Sequence, residues 1–281
     1  MNIKHRLRSP IEHRLTSVRA WIRTERNLGG WKRDQHIPLP MGTQLPVILC
    51  TWRRIERLPR TLEQLAAQDV PVQVCIWNNS PERGRVDAAA AAAGLPVSVH
   101  HSPRNIGGFG RFYLARQAAE AGHPAVAFID DDQDFGPQAI GELLSAHRPR
   151  SLSGWWAFRF TGSSYGDRIR AAAGQAASYV GTGGMITDTA IFLDGRLFQC
   201  PRRFWFVEDL WLCYVADLAG YELFRSPAEF VSAEDEHALY LSLGDTKWRL
   251  LRYLTGMGWE PIQRDSACPK PASSSVSISK P

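Results

Sequence analysis

The chain reads as an α/β protein built on an open, mostly parallel sheet with helices on both faces. Three observations carry this reading. Short continuous apolar runs recur through the first half, each bounded by turn residues, as strands buried on both faces require. Segments with helical character separate the runs, so strand and helix alternate as in repeated βα units. Each run also ends in polar residues, and the carboxyl edge of such a sheet is where ligands bind.

Val47 to Cys50 is the first strand, Thr51 to Arg54 its turn, and Leu58 to Gln68 a helix with Leu62 and Leu65 inward. Val72 to Trp77 is the second strand and ends at Asn78-Asn79-Ser80-Pro81. Val86 to Ala93 is helical by its alanine content and is stopped by Gly94. Val97 to His101 is a weaker strand, followed by a glycine-rich segment and a helix over Phe112 to Ala121. Ala125 to Ile129 is the fourth strand and runs into Asp130-Asp131-Asp132. Pro137, near a first turn, opens a helix that reaches His147.

The second half is less regular. Trp155 to Phe160 and Ala177 to Val180 read as strands, Gly181 to Gly184 as a permissive loop. Glu208-Asp209 precedes a helix from Leu210 to Gly220, and Tyr221 to Arg225 is a short strand. The expected organisation is a basic arm over 1–44, a domain over 45–265 and a disordered tail over 266–281. Within the domain, 45–135 forms one half and 150–265 a second, substrate-binding half.

Length and composition are those of a soluble globular protein, with 281 residues, 44% hydrophobic and 22% charged. The net charge of +5 is concentrated before Asp34, where nine basic residues face only Glu12 and Glu25. The remainder is near neutral, which argues against nonspecific nucleic-acid binding. Ile11, Leu15, Val18 and Ile22 lie at helical spacing among Arg14, Arg19 and Arg23. Such an arm suits peripheral contact with an anionic membrane face; a surface helix or a disordered arm is the plainer alternative. The five cysteines form no C-x-x-C pair and read as reduced thiols. No apolar run is long enough to span a bilayer, and no secretory signal precedes the domain. The expected location is the cytoplasm.

The strand ends supply the chemistry. Thr51, Arg53 and Arg54 follow the first strand, and Asn78 and Asn79 the second. Asn105-Ile106-Gly107-Gly108-Phe109-Gly110-Arg111 follows the third, and the aspartate triplet the fourth. Three adjacent carboxylates repel one another, and a divalent cation carrying phosphate ligands relieves that repulsion. The glycine segment lacks both the third glycine of a dinucleotide fingerprint and the Lys-Ser/Thr of a P-loop. Its glycines instead allow close backbone approach to a ligand, with Arg111 able to pair a phosphate.

In this combination the chain resembles the inverting glycosyltransferases of family 2, which have the GT-A fold. The resemblance covers roughly residues 45–241. It rests on the Thr51-x-Arg53 turn, the Asn105 to Arg111 segment, the Asp130 to Asp132 version of an Asp-x-Asp motif, the Gly181 to Gly184 loop and Glu208-Asp209. The Gly-Gly-x-Gly stretch is also similar to galactofuranosyltransferases. The resemblance implies a nucleotide diphosphate sugar donor, UDP- or dTDP-linked, held by Thr51, Arg53, Asn78, Asn79, Asn105, Gly108, Arg111, Asp130 and Asp131. It implies Mn²⁺ or Mg²⁺ on Asp132 and Asp130, with His237 as a further ligand. Asp209 would be the general base, supported by Glu208, and Trp155, Trp156, Gly183 and Gly184 would shape the acceptor pocket. The acceptor would be a glycan, a lipid-linked glycan or a small molecule. Two other readings stand beside it. Asp130-x-Asp132 after a strand is also the layout of a haloacid dehalogenase-type phosphohydrolase, and a non-catalytic carbohydrate-binding protein would keep the fold.

Overall fold

The computed structural model describes residues 44–233 and 243–261, together with Ile22 and Arg26, which are helical. The rest of the expected N-terminal arm, His237 and the tail from Ser266 lie outside the described residues.

In chain order the elements are β1 (Leu45–Thr51), α1 (Leu58–Ala66), β2 (Val72–Asn78), α2 (Arg83–Ala92), β3 (Val97–His101), α3 (Gly110–Glu120) and β4 (Ala125–Asp130). There follow β5 (Gln133–Phe135), α4 (Ala139–Ala146), β6 (Ser151–Gly154), β7 (Ala157–Phe160), β8 (Arg168–Arg170), β9 (Tyr179–Val180) and β10 (Met185–Asp188). The last are α5 (Glu208–Leu218), β11 (Glu222–Arg225), β12 (Phe230–Ser232) and α6 (Gly244–Gly256).

Seven strands form the main sheet in the order β11-β6-β10-β4-β1-β2-β3. Strand β1 runs parallel to β2 and β4, and β2 parallel to β3. Strand β10 is antiparallel to both β4 and β6, and β11 is parallel to β6. The sheet is therefore mostly parallel, as expected, with one reversed strand. Small sheets β12-β5 and β8-β7-β9 flank it.

Alternation along the central strands divides the core in two. Ile48, Cys75, Trp77, Val126 and Phe128 pack on the side that holds α3, α5 and α6. Val47, Leu49, Val74, Ile76, Ala127 and Ile129 pack on the side that holds α1 and α4. Side chains alternate across a strand, so a continuous apolar run is what a strand covered on both faces needs.

Several boundaries differ from expectation. The strand expected over Trp155 to Phe160 is β7, which begins at Ala157, and a strand not anticipated, β6, ends just before Trp155-Trp156. Strand β6 stays in the main sheet and β7 leaves for a small one. The sequence of β6 is Ser-Leu-Ser-Gly, which carries no apolar run to betray it. Helix α5 begins at Glu208, not after Asp209, so both acids sit in its first turn, where the helix dipole favours negative charge. Helix α6 was not anticipated; it buries Leu250, Leu251 and Leu254.

Candidate active site

The strand order changes direction at β1, with β2 on one side and β4 on the other, and a crevice opens at such a point. Register aligns the strand ends: Cys50 pairs with Asp130 and Thr51 with Asn78. A cavity of about 930 Å³ lies over these ends. Its walls include Thr51, Trp52, Arg53 and Arg54 after β1, then Asn79, Asn105, Gly107, Gly108 and Arg111. Asp130, Asp131, Asp132 and Gln133 follow β4. The opposite wall is Trp155, Trp156, Tyr179, Gly181, Thr182, Gly183, Phe206, Glu208, Asp209 and Lys247. The two acid groups, 76 residues apart in the chain at their nearest positions (Asp132 and Glu208), thus face one space. A second cavity of about 430 Å³, lined by Arg148, Tyr221 and Trp259 among others, holds neither acid group.

Among the described residues, two expected ones are not on the cavity wall. Asn78 is fully buried; its amide donates to Ser80 O and pairs with His101 Nδ1 at 2.9 Å, and its Oδ1 accepts from Ser80 N. It shapes the turn instead of meeting a ligand. Gly184 has φ of +69° and its N–H donates to Phe128 O, so it makes the turn into β10. Asn79 does line the cavity, but its amide is committed to structure. Its Oδ1 accepts from Trp77 Nε1 and Ile106 N, and its Nδ2 donates to Gly107 O, all at 3.1 Å. It ties the end of β2 to the glycine loop.

Two arginines balance the acidic turn. Arg54, buried, reaches Asp131 Oδ1 and Asp132 Oδ2, each at 3.3 Å. Arg111, also buried, donates from Nη2 to Asp130 Oδ1 at 2.9 Å, and its Nε lies 3.6 Å from Glu208 Oε1. Arg111 therefore joins the two acid groups. The balance is incomplete. Burial first, then the neighbouring Asp130 and Asp131, outweigh Arg54 and push the Asp132 carboxyl up to about 7. Burial likewise raises Asp131 against the pull of Arg54.

The glycines allow close approach. A Cβ at Gly108 would overlap the Glu208 carboxylate, and one at Gly183 would overlap Asp130 Oδ2. The glycine at each position therefore leaves room for an acid.

The acids of α5 have different surroundings. Glu208 packs against Gly108 and faces Arg111, with Thr182 Oγ1 at 3.5 Å. Burial and the charge of Asp209 outweigh Arg111 and push its carboxyl up to about 7. Asp209 accepts from Lys247 Nζ at 2.7 Å and from the Tyr179 hydroxyl, both at Oδ2. Its Oδ1 accepts from Leu210 N at 2.8 Å. Burial alone would raise this carboxyl, but Lys247 and these hydrogen bonds hold it below the usual carboxylate range.

Residues 47–172 match the family model described as glycosyl transferase family 2. The match spans 126 of the chain's 281 residues. The fold agrees with solved structures. S. aureus TarS 1-349 in complex with UDP is 18% identical with a TM-score of 0.50, covering 75% of this chain and 65% of that one. TarS 1-349 alone is 17% identical, also with a TM-score of 0.50 and the same coverages. The chain spans less than two thirds of the length of these relatives. None of the curated proteins compared matches it. The family match is the finding that separates this chain from the dehalogenase layout.

Several residues in the site carried little signal in the sequence. Arg54 follows Arg53 without distinction, yet it is the one that clamps the acidic turn. Tyr179 and Lys247 lie 30 and 38 residues from Asp209, and nothing local marks either. Gln133 Oε1 accepts from Asp130 N and fixes the turn after β4.

Proposed function

We propose that this chain transfers a sugar from a nucleotide diphosphate sugar to an acceptor hydroxyl, with inversion at the anomeric carbon. The observation that carries this reading is the meeting of Asp130-Asp131-Asp132 and Glu208-Asp209 in one cavity, bridged by Arg111. The donor side is the strand-end wall, where Thr51, Arg53, Asn105, Gly108 and Arg111 surround the acidic turn. A UDP- or dTDP-linked donor fits the family, and the TarS relative of the same fold was solved with UDP.

Divalent cation chemistry suits the acidic turn. Among the described residues no three His, Cys, Asp or Glu side chains converge as a cation cage. Mg²⁺, however, is commonly held by one or two carboxylates plus substrate phosphates. Asp132, strained by burial and by Asp130, fits that role together with Asp130. Bound there, Mn²⁺ or Mg²⁺ would neutralise charge on the departing nucleoside diphosphate. His237 remains a proposed further ligand.

The two acids of α5 divide the remaining work. Glu208 faces the donor side through Arg111 and Gly108. Asp209 faces Tyr179, whose hydroxyl lies beside Gly181 and Trp156 on the acceptor side. Displacement with inversion needs the base on the acceptor side, opposite the leaving group. Asp209 is therefore the general base that takes the acceptor's proton, and Glu208 orients Arg111 toward the diphosphate. Trp156, 36% exposed, offers a flat face to an acceptor sugar, while Trp155 is buried and supports it. The acceptor is a glycan, a lipid-linked glycan or a small molecule.

A thermal-shift panel of UDP-, dTDP- and GDP-sugars, with and without Mn²⁺, tests donor choice, since stabilisation follows affinity by linkage. UDP-galactofuranose belongs in it because of the Gly-Gly-x-Gly stretch. Asp209→Asn should keep donor stabilisation and lose transfer. Retained transfer in that variant would remove the base assignment, and no stabilisation by any nucleotide sugar would remove the function.

A further inference from the structure

Helix α6 brings an ammonium group onto Asp209 from outside the segment that matches the family model. Lys247 Nζ lies 2.7 Å from Asp209 Oδ2 and 2.8 Å from the Tyr179 hydroxyl. Its side chain is 12% exposed, as is that of Asp209. Tyr179 is completely buried on β9. All three line the cavity. A buried lysine beside a buried carboxylate is costly to assemble, because both ions lose water. A plain surface ion pair would avoid that cost.

We propose that Lys247 is a positioning residue for the proposed general base: its charge keeps Asp209 ionised, and with Tyr179 it turns Oδ2 inward so that Oδ1 is the edge left for the acceptor hydroxyl. The inference rests on the reading of Asp209 as the base. The hydrogen-bond count supports the division of the two oxygens. Oδ2 already accepts two strong donors, which fill its two lone pairs. Among the described residues Oδ1 accepts only from Leu210 N and keeps one lone pair. The proton taken from the acceptor hydroxyl ends on Oδ1 as the new glycosidic bond forms and the bond to the diphosphate breaks.

The other charged and titratable groups around Asp209 do not supply this charge. Glu208 on its own helix is an acid and opposes ionisation. Tyr165 and Tyr179 bring phenol rings, not cations, with centroids 5.4 Å and 5.2 Å from Lys247 Nζ. Cys213, one turn along α5, is a buried thiol pushed toward its neutral form. Arg111 is spent on Asp130 and Glu208. Lys247 is the cation in direct contact with Asp209 among the described residues.

The test is the pH profile of transfer for Lys247→Met, Lys247→Gln and Lys247→Arg beside wild type and Asp209→Asn. An opposite charge at this distance lowers a carboxyl by about 1–3 units. Removing it raises Asp209, so the acid limb of kcat/KM moves to higher pH by about 1–3 units in the methionine and glutamine variants. The donor KM stays within about twofold, since uniform donor binding is untouched. Lys247→Arg restores the wild-type limb. If methionine at 247 prevents folding, glutamine, which keeps a donor without charge, gives the same reading. An unmoved acid limb in the folded neutral variants, with Asp209→Asn inactive, overturns the role of Lys247 and leaves the base in place. Full transfer by Asp209→Asn overturns both.

Discussion

Arg111→Met is the perturbation whose consequences the structure sets most tightly. The guanidinium is 5% exposed and contacts Asp130 Oδ1 and Glu208 Oε1. Removing one member of a buried ion pair typically costs 3–5 kcal/mol, because the partner is left buried and uncompensated. Glu208, at 7% exposure, carries most of that cost. Asp130 is 38% exposed and is screened by water, so it adds little. The expected loss at pH 8 is therefore about 3–5 kcal/mol, or roughly 6–20 °C in Tm for a domain of this size. The loss depends on pH. Glu208 already titrates near 7, and without Arg111 its carboxyl rises further. Acidification to about pH 5.5 then protonates it in the variant and relieves the buried charge, so the deficit shrinks to roughly 1–2 kcal/mol. Urea unfolding at both pH values reads this directly. A loss below about 1 kcal/mol at pH 8, or an equal loss at both pH values, refutes the bridging role of Arg111.

Three further outcomes follow from the same contacts. In wild type the raised carboxyl of Glu208 contributes stability that is full below 4.5 and lost as pH rises through about 7; Glu208→Gln removes that slope, measured by urea unfolding across this range, and an unchanged slope contradicts the assignment. Asn79→Ala removes three hydrogen bonds that fasten the glycine loop, so it should cost roughly 2–4 kcal/mol by thermal unfolding, and a cost near zero means the loop is held elsewhere. Gly108→Ala pushes the Glu208 carboxylate aside; that side chain can swing, so Tm should move only a few degrees while transfer falls about 100-fold, and wild-type transfer would show that the contact is dispensable.

The parts of the fold legible in the sequence are those whose burial is two-sided. Strands β1, β2 and β4 are apolar along their length because helices cover both faces. Strands β6 and β10 lie in the same sheet yet carry Ser151, Ser153 and Thr187, all buried. Thr187 Oγ1 donates to Ser151 O, so a hydrogen bond replaces apolar contact there and the hydropathy signal disappears. The acid groups were legible because each adjoins a recognisable element, the end of β4 or the start of α5. Their joining was not. It depends on Arg111, and on Gly108 leaving room for Glu208. Asn78 shows the converse: placed at the right strand end, it points into its own turn, because Ser80 and His101 claim its amide.

The most direct test of a donor site at the acidic turn is calorimetric titration of the protein with UDP, with and without Mn²⁺. Wild type should bind UDP more tightly with the cation present, and Asp132→Ala should lose that gain while remaining folded. UDP binding that ignores both the cation and the substitution, or no binding at all, would contradict the account.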